Sequence, residues 1–401
     1  MSGIIVVGGG QAGASLVARL RSTGYSGPLT LVAEEPVPPY QRPPLSKGYL
    51  LDEMTEERLY LRPAEYYAAN DIDLRLGTRA SSIDPALKTL KLGHDVISYD
   101  QLALTTGSRA RYPSEEPRPG IYTVRTLADV DAMAPEFLSG RRLLVIGGGY
   151  IGLEAAAVAV KKGLSVTIVE TADRILSRVA CPRTSDYFRS LHRSHGVNLR
   201  EGMPRGTLFG KDRVEGLRLP DGEEISADFV IAGIGIEPAA ELAEAAGLQI
   251  ENGISVNQYG QTSDPSIWAA GDCASFPYRG RRIRLESVQN AIDQAELVAD
   301  NMRSQTKTPY LPQPWFWSDQ YDVKLQIAGL ASGYDRSVLR IGTKPGSQSV
   351  WYFRGTELLA VDAMNDPRAY MVGKRMIQEG TSPDAALVGD PETDLKALLA
   401  A

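Results

Sequence analysis

A glycine-rich turn of one design occurs twice in the chain, as VVGGGQAGASLV at residues 6–17 and as VIGGGYIGLEAA at residues 145–156. Each copy joins a short apolar strand, residues 4–7 or 143–146, to a helix rich in Ala, Leu and Val. Between strand and helix stands G-x-G-x-x-G, formed by Gly8, Gly10 and Gly13 in one copy and by Gly147, Gly149 and Gly152 in the other. The first glycine permits a tight turn, the second lets a pyrophosphate reach the backbone, and the third lets helix pack on strand. The helix N-terminus then offers free N–H groups to phosphate. This device belongs to doubly wound α/β sheets, so two nucleotide-binding units are expected.

Both copies carry the acidic residue that completes the pattern about 20 residues on. The strand LTLVAEE ends at Glu34 and Glu35, and SVTIVE ends at Glu170. A carboxylate there accepts hydrogen bonds from ribose hydroxyls. Glu170 would also repel a 2′-phosphate, where an NADP site offers arginine, so NADH is favoured over NADPH. Which unit takes which dinucleotide stays open at this level. A third glycine turn, SDPSIWAAGDCA, places Asp272 after a short strand and before a helix-compatible stretch. Asp272 there is either a second nucleotide contact or a helix N-cap. In LALTTGSRAR, Thr106 and Gly107 end another strand where backbone can close over a ligand.

Length, charge and cysteine content narrow the class. At roughly 100–200 residues per domain, 401 residues imply two to four domains. Lys+Arg 43 against Asp+Glu 49 leaves a net charge of −6, which opposes nucleic acid and anionic membrane. Cys181 and Cys273 are the only cysteines, too few for a disulfide framework, an iron–sulfur centre or a nearby dithiol. Cys273 is expected in packing and Cys181 in a loop. His94, His192 and His195 are badly spaced for a metal cluster, so no metal is expected and ordinary solvated or capping roles are assigned to them. No apolar run reaches the 18 residues of a membrane span, and MSGIIVVGGG lacks a basic leader region. A cytoplasmic location is expected.

The chain resembles, end to end, the FAD-containing ferredoxin reductases of bacterial oxygenase systems, the putidaredoxin-reductase-like group of the glutathione-reductase fold. The motifs that carry the resemblance are GGGQAG, PYQRPPLSKGYL at residues 39–50, TTGSR, GGGYIGLE, AAGD, ESVQNA at residues 286–291 and PWFWSDQY at residues 314–321. The resemblance implies an α/β protein with two Rossmann-like dinucleotide-binding domains and a C-terminal α+β domain. Expected boundaries are 1–111 with 238–312 for a discontinuous FAD domain, 112–237 for an inserted NADH domain, and 313–401 for the last. The polar turn PSEEPRPG suits a crossing and TKTPYLPQPW a linker. Beyond the linker, KLQIAGL, SVLRIG, SVWYFR and ELLAVDAM are expected as strands, with KRMIQEG and TDLKALLAA helical.

By the same resemblance, Gly8, Gly10, Ala12 and Gly13 face the FAD pyrophosphate, Glu34 and Glu35 its adenosine ribose, and Asp272 its ribityl–phosphate chain. Arg42, Lys47, Ala80, Arg125 and Val288 occupy further FAD positions. Gly149, Tyr150, Ile151, Gly152, Glu170 and Gly235 match NADH contacts, and Gly147 opens that loop. Lys47, delivered by two stiffening prolines, pairs in the family with the glutamate of GGGYIGLE, here Glu154, and its charge suits a reduced flavin. Relatives that reduce disulfides or peroxide carry cysteine where this chain has Pro43-Pro44-Leu45-Ser46-Lys47. The implied activity is therefore that of an NADH-dependent ferredoxin reductase. Hydride passes from NADH to FAD, then two one-electron transfers reach a [2Fe-2S] ferredoxin that feeds a cytochrome P450 or ring-hydroxylating oxygenase. Trp317 is matched to the family tryptophan beside flavin and partner, and Trp315 and Phe316 are expected in core packing. The basic run YRGRRIR, with Arg279, Arg281, Arg282 and Arg284, is either a solvated hairpin or a docking patch for an acidic ferredoxin. Rival readings are a rubredoxin reductase or NADH:small-molecule oxidoreductase, and a flavin-bound interaction protein of the apoptosis-inducing-factor type.

Overall fold

The computed structural model describes residues 3–114 and 117–399; Glu115 and Glu116, within the expected crossing at 113–120, lie outside them. Two compact units are present. One comprises Met1–Arg42, Thr55–Arg109 and Ile236–Pro312, and the other Pro43–Met54, Ala110–Gly235 and Gln313–Ala401.

In the first unit, Gly3–Val7 is buried along its whole length, as a strand covered on both faces must be. It pairs in parallel with Leu29–Val32 on one side and with the second half of Asp95–Leu104 on the other. Ile72–Arg75 extends the sheet beyond Leu29–Val32, and Ile267–Ala269 pairs in parallel with Asp95–Leu104 at Leu102 to Leu104. The first half of Asp95–Leu104 instead pairs antiparallel with Thr89–Leu92, which pairs with Ala80–Asp84. One ten-residue strand thus serves a parallel sheet and an antiparallel meander. Helix Gln11–Ser22 packs on helix Val288–Arg303, and Arg19 grips Asp300 with two parallel hydrogen bonds of 2.9 and 2.8 Å.

The second unit holds an all-parallel sheet in the order Asn198–Arg200, Ser165–Val169, Arg142–Ile146, Phe229–Ala232, Ile121–Tyr122. It also holds an antiparallel sheet in the order Trp315–Gln320, Val323–Gly329, Glu357–Met364, Gln348–Arg354, Arg336–Ile341. Helix Pro367–Glu379 covers that sheet, and its boundaries are legible in the residues: Asp366 caps Ala369 N–H at 3.1 Å, proline follows, and Gly380 ends it at φ 70°. A Cβ at Gly373 would lie 2.5 Å from Val361 Cγ2, so glycine there sets how closely helix and sheet approach.

Several expectations need correction. After Gly271-Asp272 the chain runs into strand Ala274–Tyr278, so Asp272 caps no helix. The described part of TDLKALLAA forms only a 3₁₀ turn, Ala397–Leu399, closed by short-range bonds from Ala397 N–H to Asp394 O and from Leu399 N–H to Lys396 O. Cys181 sits at the N-cap of helix Pro182–Ser194 and is fully buried. Trp315 and Phe316 are half-exposed rather than core. His192 is fully buried, and burial lowers its pKa to about 4, against the hydrogen bond to Gln320 that raises it.

Candidate functional site

The two glycine loops match in their bonding. Gly8 N–H donates to Val32 and Gly147 N–H to Val169, each at 2.8 Å. Thr105 N–H reaches Val7 and Gly233 N–H reaches Ile146, again at 2.8 Å. Gly8 has φ 120° and Gly147 φ 102°, the left-handed side that side chains resist. A Cβ at Gly13 would stand 2.0 Å from Gly8 O, and one at Gly152 would stand 2.3 Å from Gly147 O. No side chain could be tolerated there without opening the loop.

The middle glycines differ in kind. Around a Cβ at Gly10 nothing lies within 4 Å, and at Gly149 only Gly233 O approaches, at 3.9 Å. Both glycines are N-caps of twelve-residue helices, Gln11–Ser22 and Tyr150–Lys161, and neither helix receives a side-chain cap. The first-turn N–H groups and the helix dipole therefore face space that protein does not fill, which fits a dinucleotide pyrophosphate at each loop. Residues that sequence reasoning passed over hold both loops. Thr105 Oγ1 lies 3.0 Å from Val7 O and from Gly8 O, and Gly233, whose carbonyl lies 2.5 Å from a Cβ placed at Gly147, takes the same place in the second loop. The TTG and GIG triplets are the only sequence signals for them.

Around the first loop, Glu34 is exposed and pairs loosely with Arg79 at 3.3 Å. Glu35 is engaged by Arg42 at 2.7 Å and by Tyr40 OH at 2.5 Å. Burial opposes the Arg42 cation, yet Tyr40 and Glu35 outweigh it and its pKa is raised. Of the two glutamates, Glu34 is the exposed one and Glu35 is half-buried. Thr106 Oγ1 donates to Ala239 O at 2.6 Å, and Gly107 turns at φ 69°. Ser108 Oγ donates to Asp272 Oδ2 at 3.0 Å. The fully buried Gln294 holds Gly271 N–H through Oε1 at 2.8 Å while its Nε2 has no partner, an unpaired donor beside this turn. Val288 opens helix Val288–Arg303, whose cap is Ser287, and Ala80 begins its strand at a sheet edge.

In the second unit, Glu170 accepts from Gly148 N–H at 2.7 Å and Ala172 N–H at 2.8 Å, which holds the carboxylate over the second loop. Ile151 is 41% exposed, an apolar side chain at the mouth of that loop. Tyr150 packs on Phe316 with ring centroids 4.9 Å apart, and its hydroxyl is buried without a partner. Gly235 turns at φ 98°. Arg125 N–H donates to Asp129 Oδ2 at 3.2 Å at the start of helix Leu127–Met133. Glu170→Arg is expected to release the hold on Gly148 and lower the KM ratio of NADPH to NADH by roughly tenfold or more. Steady-state kinetics with both nucleotides decide it, and an unchanged ratio would remove Glu170 from the nucleotide site.

Segment 43–54 brings two of the three catalytic candidates, Lys47 and Glu154, together. Pro43–Ser46 is a 3₁₀ turn that delivers Lys47 Nζ to Glu154 Oε2 at 2.9 Å. Glu154 is only 3% exposed and also accepts from Ser46 Oγ at 2.7 Å and Ser318 Oγ at 2.6 Å. A buried carboxylate needs this set of donors. Trp317 lies on the strand face of Trp315, centroids 5.6 Å apart, and is half-exposed.

The basic hairpin is less outward than its sequence. Arg282 Nη1 donates to Val256 O and Ser275 O, and Arg284 donates to Asp272 O and pairs with Glu286. Arg279, at the turn with φ 46°, and Arg281 are the two exposed arginines. Among the described residues no helix is long and apolar enough to cross a membrane.

The pyridine nucleotide-disulphide oxidoreductase family matches residues 2–295, and a reductase C-terminal domain matches residues 315–399. Rhodocoxin reductase of Rhodococcus erythropolis is 42% identical over 99% of this chain and 94% of its own. Putidaredoxin reductase of Pseudomonas putida is 40% identical over 99% and 97%. A solved covalent complex of putidaredoxin reductase with putidaredoxin matches with a TM-score of 0.93 at 40% identity, covering 100% of this chain and 98% of that one.

Proposed function

Because the chain belongs to the pyridine nucleotide-disulphide oxidoreductases, and within them to the putidaredoxin-reductase-like ferredoxin reductases, we propose that it passes electrons from NADH through FAD to a [2Fe-2S] ferredoxin. That ferredoxin serves a cytochrome P450 or a ring-hydroxylating oxygenase. The observation that carries this reading is the segment after Arg42. Where disulfide-reducing relatives place thiols, it offers Lys47 paired with a buried glutamate. Cys181 and Cys273 are both buried, so neither is a reactive surface thiol, and electrons leave to an outside carrier.

When bound, FAD accepts hydride as a two-electron unit and releases electrons singly. The chain's own residues bind, orient and supply charge. The loop of Gly8, Gly10, Ala12 and Gly13 receives the FAD pyrophosphate, Glu34 and Glu35 take the ribose, and Asp272, Arg42, Ala80, Arg125, Thr106, Gly107 and Val288 complete that site. Gly147, Gly149, Tyr150, Ile151, Gly152, Glu170 and Gly235 receive NADH. Lys47, held by Glu154, supplies positive charge for the reduced flavin, and Trp317 serves electron exit. We assign 1–111 with 238–312 to FAD, 112–237 to NADH and 313–401 to the C-terminal domain, and place the protein in the cytoplasm.

Docking of an acidic ferredoxin is assigned to the hairpin of Arg279, Arg281, Arg282 and Arg284, in which Arg279 and Arg281 lie exposed at the surface. Stopped-flow and steady-state assays with NADH and a two-iron ferredoxin test the function. Fast turnover that depends on ferredoxin and slows as ionic strength rises is expected. Slow NADH oxidation unaffected by ferredoxin would overturn the reading, and turnover that ignores salt would reject electrostatic docking.

A further inference from the structure

Glu154 is the end of a longer buried chain. Ser318 Oγ, 2.6 Å from Glu154 Oε1, lies 3.2 Å from Gln320 Nε2. Gln320 Oε1 lies 2.9 Å from His192 Nε2, and His192 Nδ1 lies 3.1 Å from Tyr321 OH. Ser318, Gln320 and His192 are fully buried, so each polar atom must find its partner inside the chain. Outside it, the exposed His195 ring stacks on Tyr321 at 3.8 Å.

Counting protons fixes the direction of every bond. As a carboxylate, Glu154 can only accept, so the single Ser318 proton goes to it. Ser318 Oγ then accepts from the Gln320 amide NH₂, which leaves Gln320 Oε1 needing a donor. That donor is a protonated His192 Nε2, and the neutral ring must therefore accept at Nδ1 from Tyr321 OH. Burial keeps His192 neutral, with its pKa lowered to about 4. Reversing the chain requires a donor at Glu154 Oε1, a flipped Gln320 and the other His192 tautomer, all together.

We propose that Ser318, Gln320 and His192 are positioning residues whose one-way hydrogen-bond chain ties the His192 tautomer to the ionisation of Glu154 and so holds the carboxylate ready for Lys47. The role in electron transfer rests on the function proposed above, whereas the chain itself rests on these distances and the burial of its members.

Glu154→Gln tests it. The side chain's oxygen would take the place shared by Lys47 and Ser46, since both are donors. Its NH₂ would then face Ser318 and donate. The whole chain should reverse, and His192, three hydrogen bonds away, should change from the Nε2–H to the Nδ1–H tautomer. Long-range proton–nitrogen correlation spectra of the ¹⁵N-labelled, FAD-loaded protein read this directly. The His94→Gln and His195→Gln variants assign the three rings. Expected are Nε2–H in the parent protein, Nδ1–H in Glu154→Gln, and no effect of Glu154→Gln on the tautomer once Ser318→Ala is also present. A parent His192 that is cationic or Nδ1–H overturns the proposal without any variant. An unchanged tautomer in a folded Glu154→Gln protein, or a change that survives Ser318→Ala, overturns it too. Failure of NADH-to-ferredoxin turnover with the tautomers as stated would sink only the functional reading.

Discussion

A Gly10→Val protein should fold and emerge without its yellow cofactor. Gly10 has φ −88° and ψ −167°, an extended conformation that valine adopts freely. No atom lies within 4 Å of the Cβ it would gain. The stability of the apoprotein should then change by no more than about 0.5 kcal/mol. The added side chain fills the space where a pyrophosphate must meet the helix N-terminus, so the ratio of flavin to protein absorbance should fall roughly tenfold or more, a loss of at least ~1.4 kcal/mol in binding. Gly149→Val, at φ −81° and ψ 177°, should keep the flavin and raise the KM for NADH to a similar degree. Gly13→Val differs in kind, because its Cβ would meet Gly8 O at 2.0 Å, and it should fail to fold. A yellow Gly10→Val protein with normal NADH kinetics would remove FAD from the first loop.

The second large effect concerns Lys47. In Lys47→Met, Glu154 keeps Ser46 and Ser318 as donors but loses its counter-ion while remaining 3% exposed. An uncompensated buried carboxylate costs about 3 kcal/mol, and thermal melts at neutral pH should show it as a marked fall in Tm. Adding Glu154→Gln removes the charge and should restore most of the stability. Turnover with NADH and ferredoxin should fall about a hundredfold in both proteins, because the positive charge is absent from each. Recovery of Tm without recovery of turnover separates the electrostatic role from the structural one. Equal recovery of both would reduce the pair to a packing element.

The glycine loops were legible because their requirements are local. Gly8 and Gly147 need left-handed φ, Gly13 and Gly152 need room within one strand–turn–helix, and residues a few positions apart satisfy both. Of the helix Pro367–Glu379, only KRMIQEG was expected from the sequence, although Asp366, Pro367 and Gly380 mark its ends locally. The stretch after Asp272 misled, since AAGDCA carries no local signal against a helix and pairing of Ala274–Tyr278 with Arg281–Ile283 decided for strand. The arginine hairpin misled in another way: charge spacing does not reveal that Arg282 and Arg284 reach back to main-chain carbonyls.

By itself, the sequence determined two glycine loops of dinucleotide-binding form, an acidic residue at the strand end that follows each, and the absence of a thiol at the segment that carries Lys47. Each is a property of neighbouring residues, fixed by sterics and charge within a few positions. Only the tertiary structure decided what Glu154 touches. Its partners Ser46 and Ser318 lie 108 and 164 positions away along the chain, and His192 joins through Gln320 at a separation of 128. Partners that distant are chosen by which buried polar atoms packing leaves face to face, and by the requirement that each of them finish with a hydrogen bond.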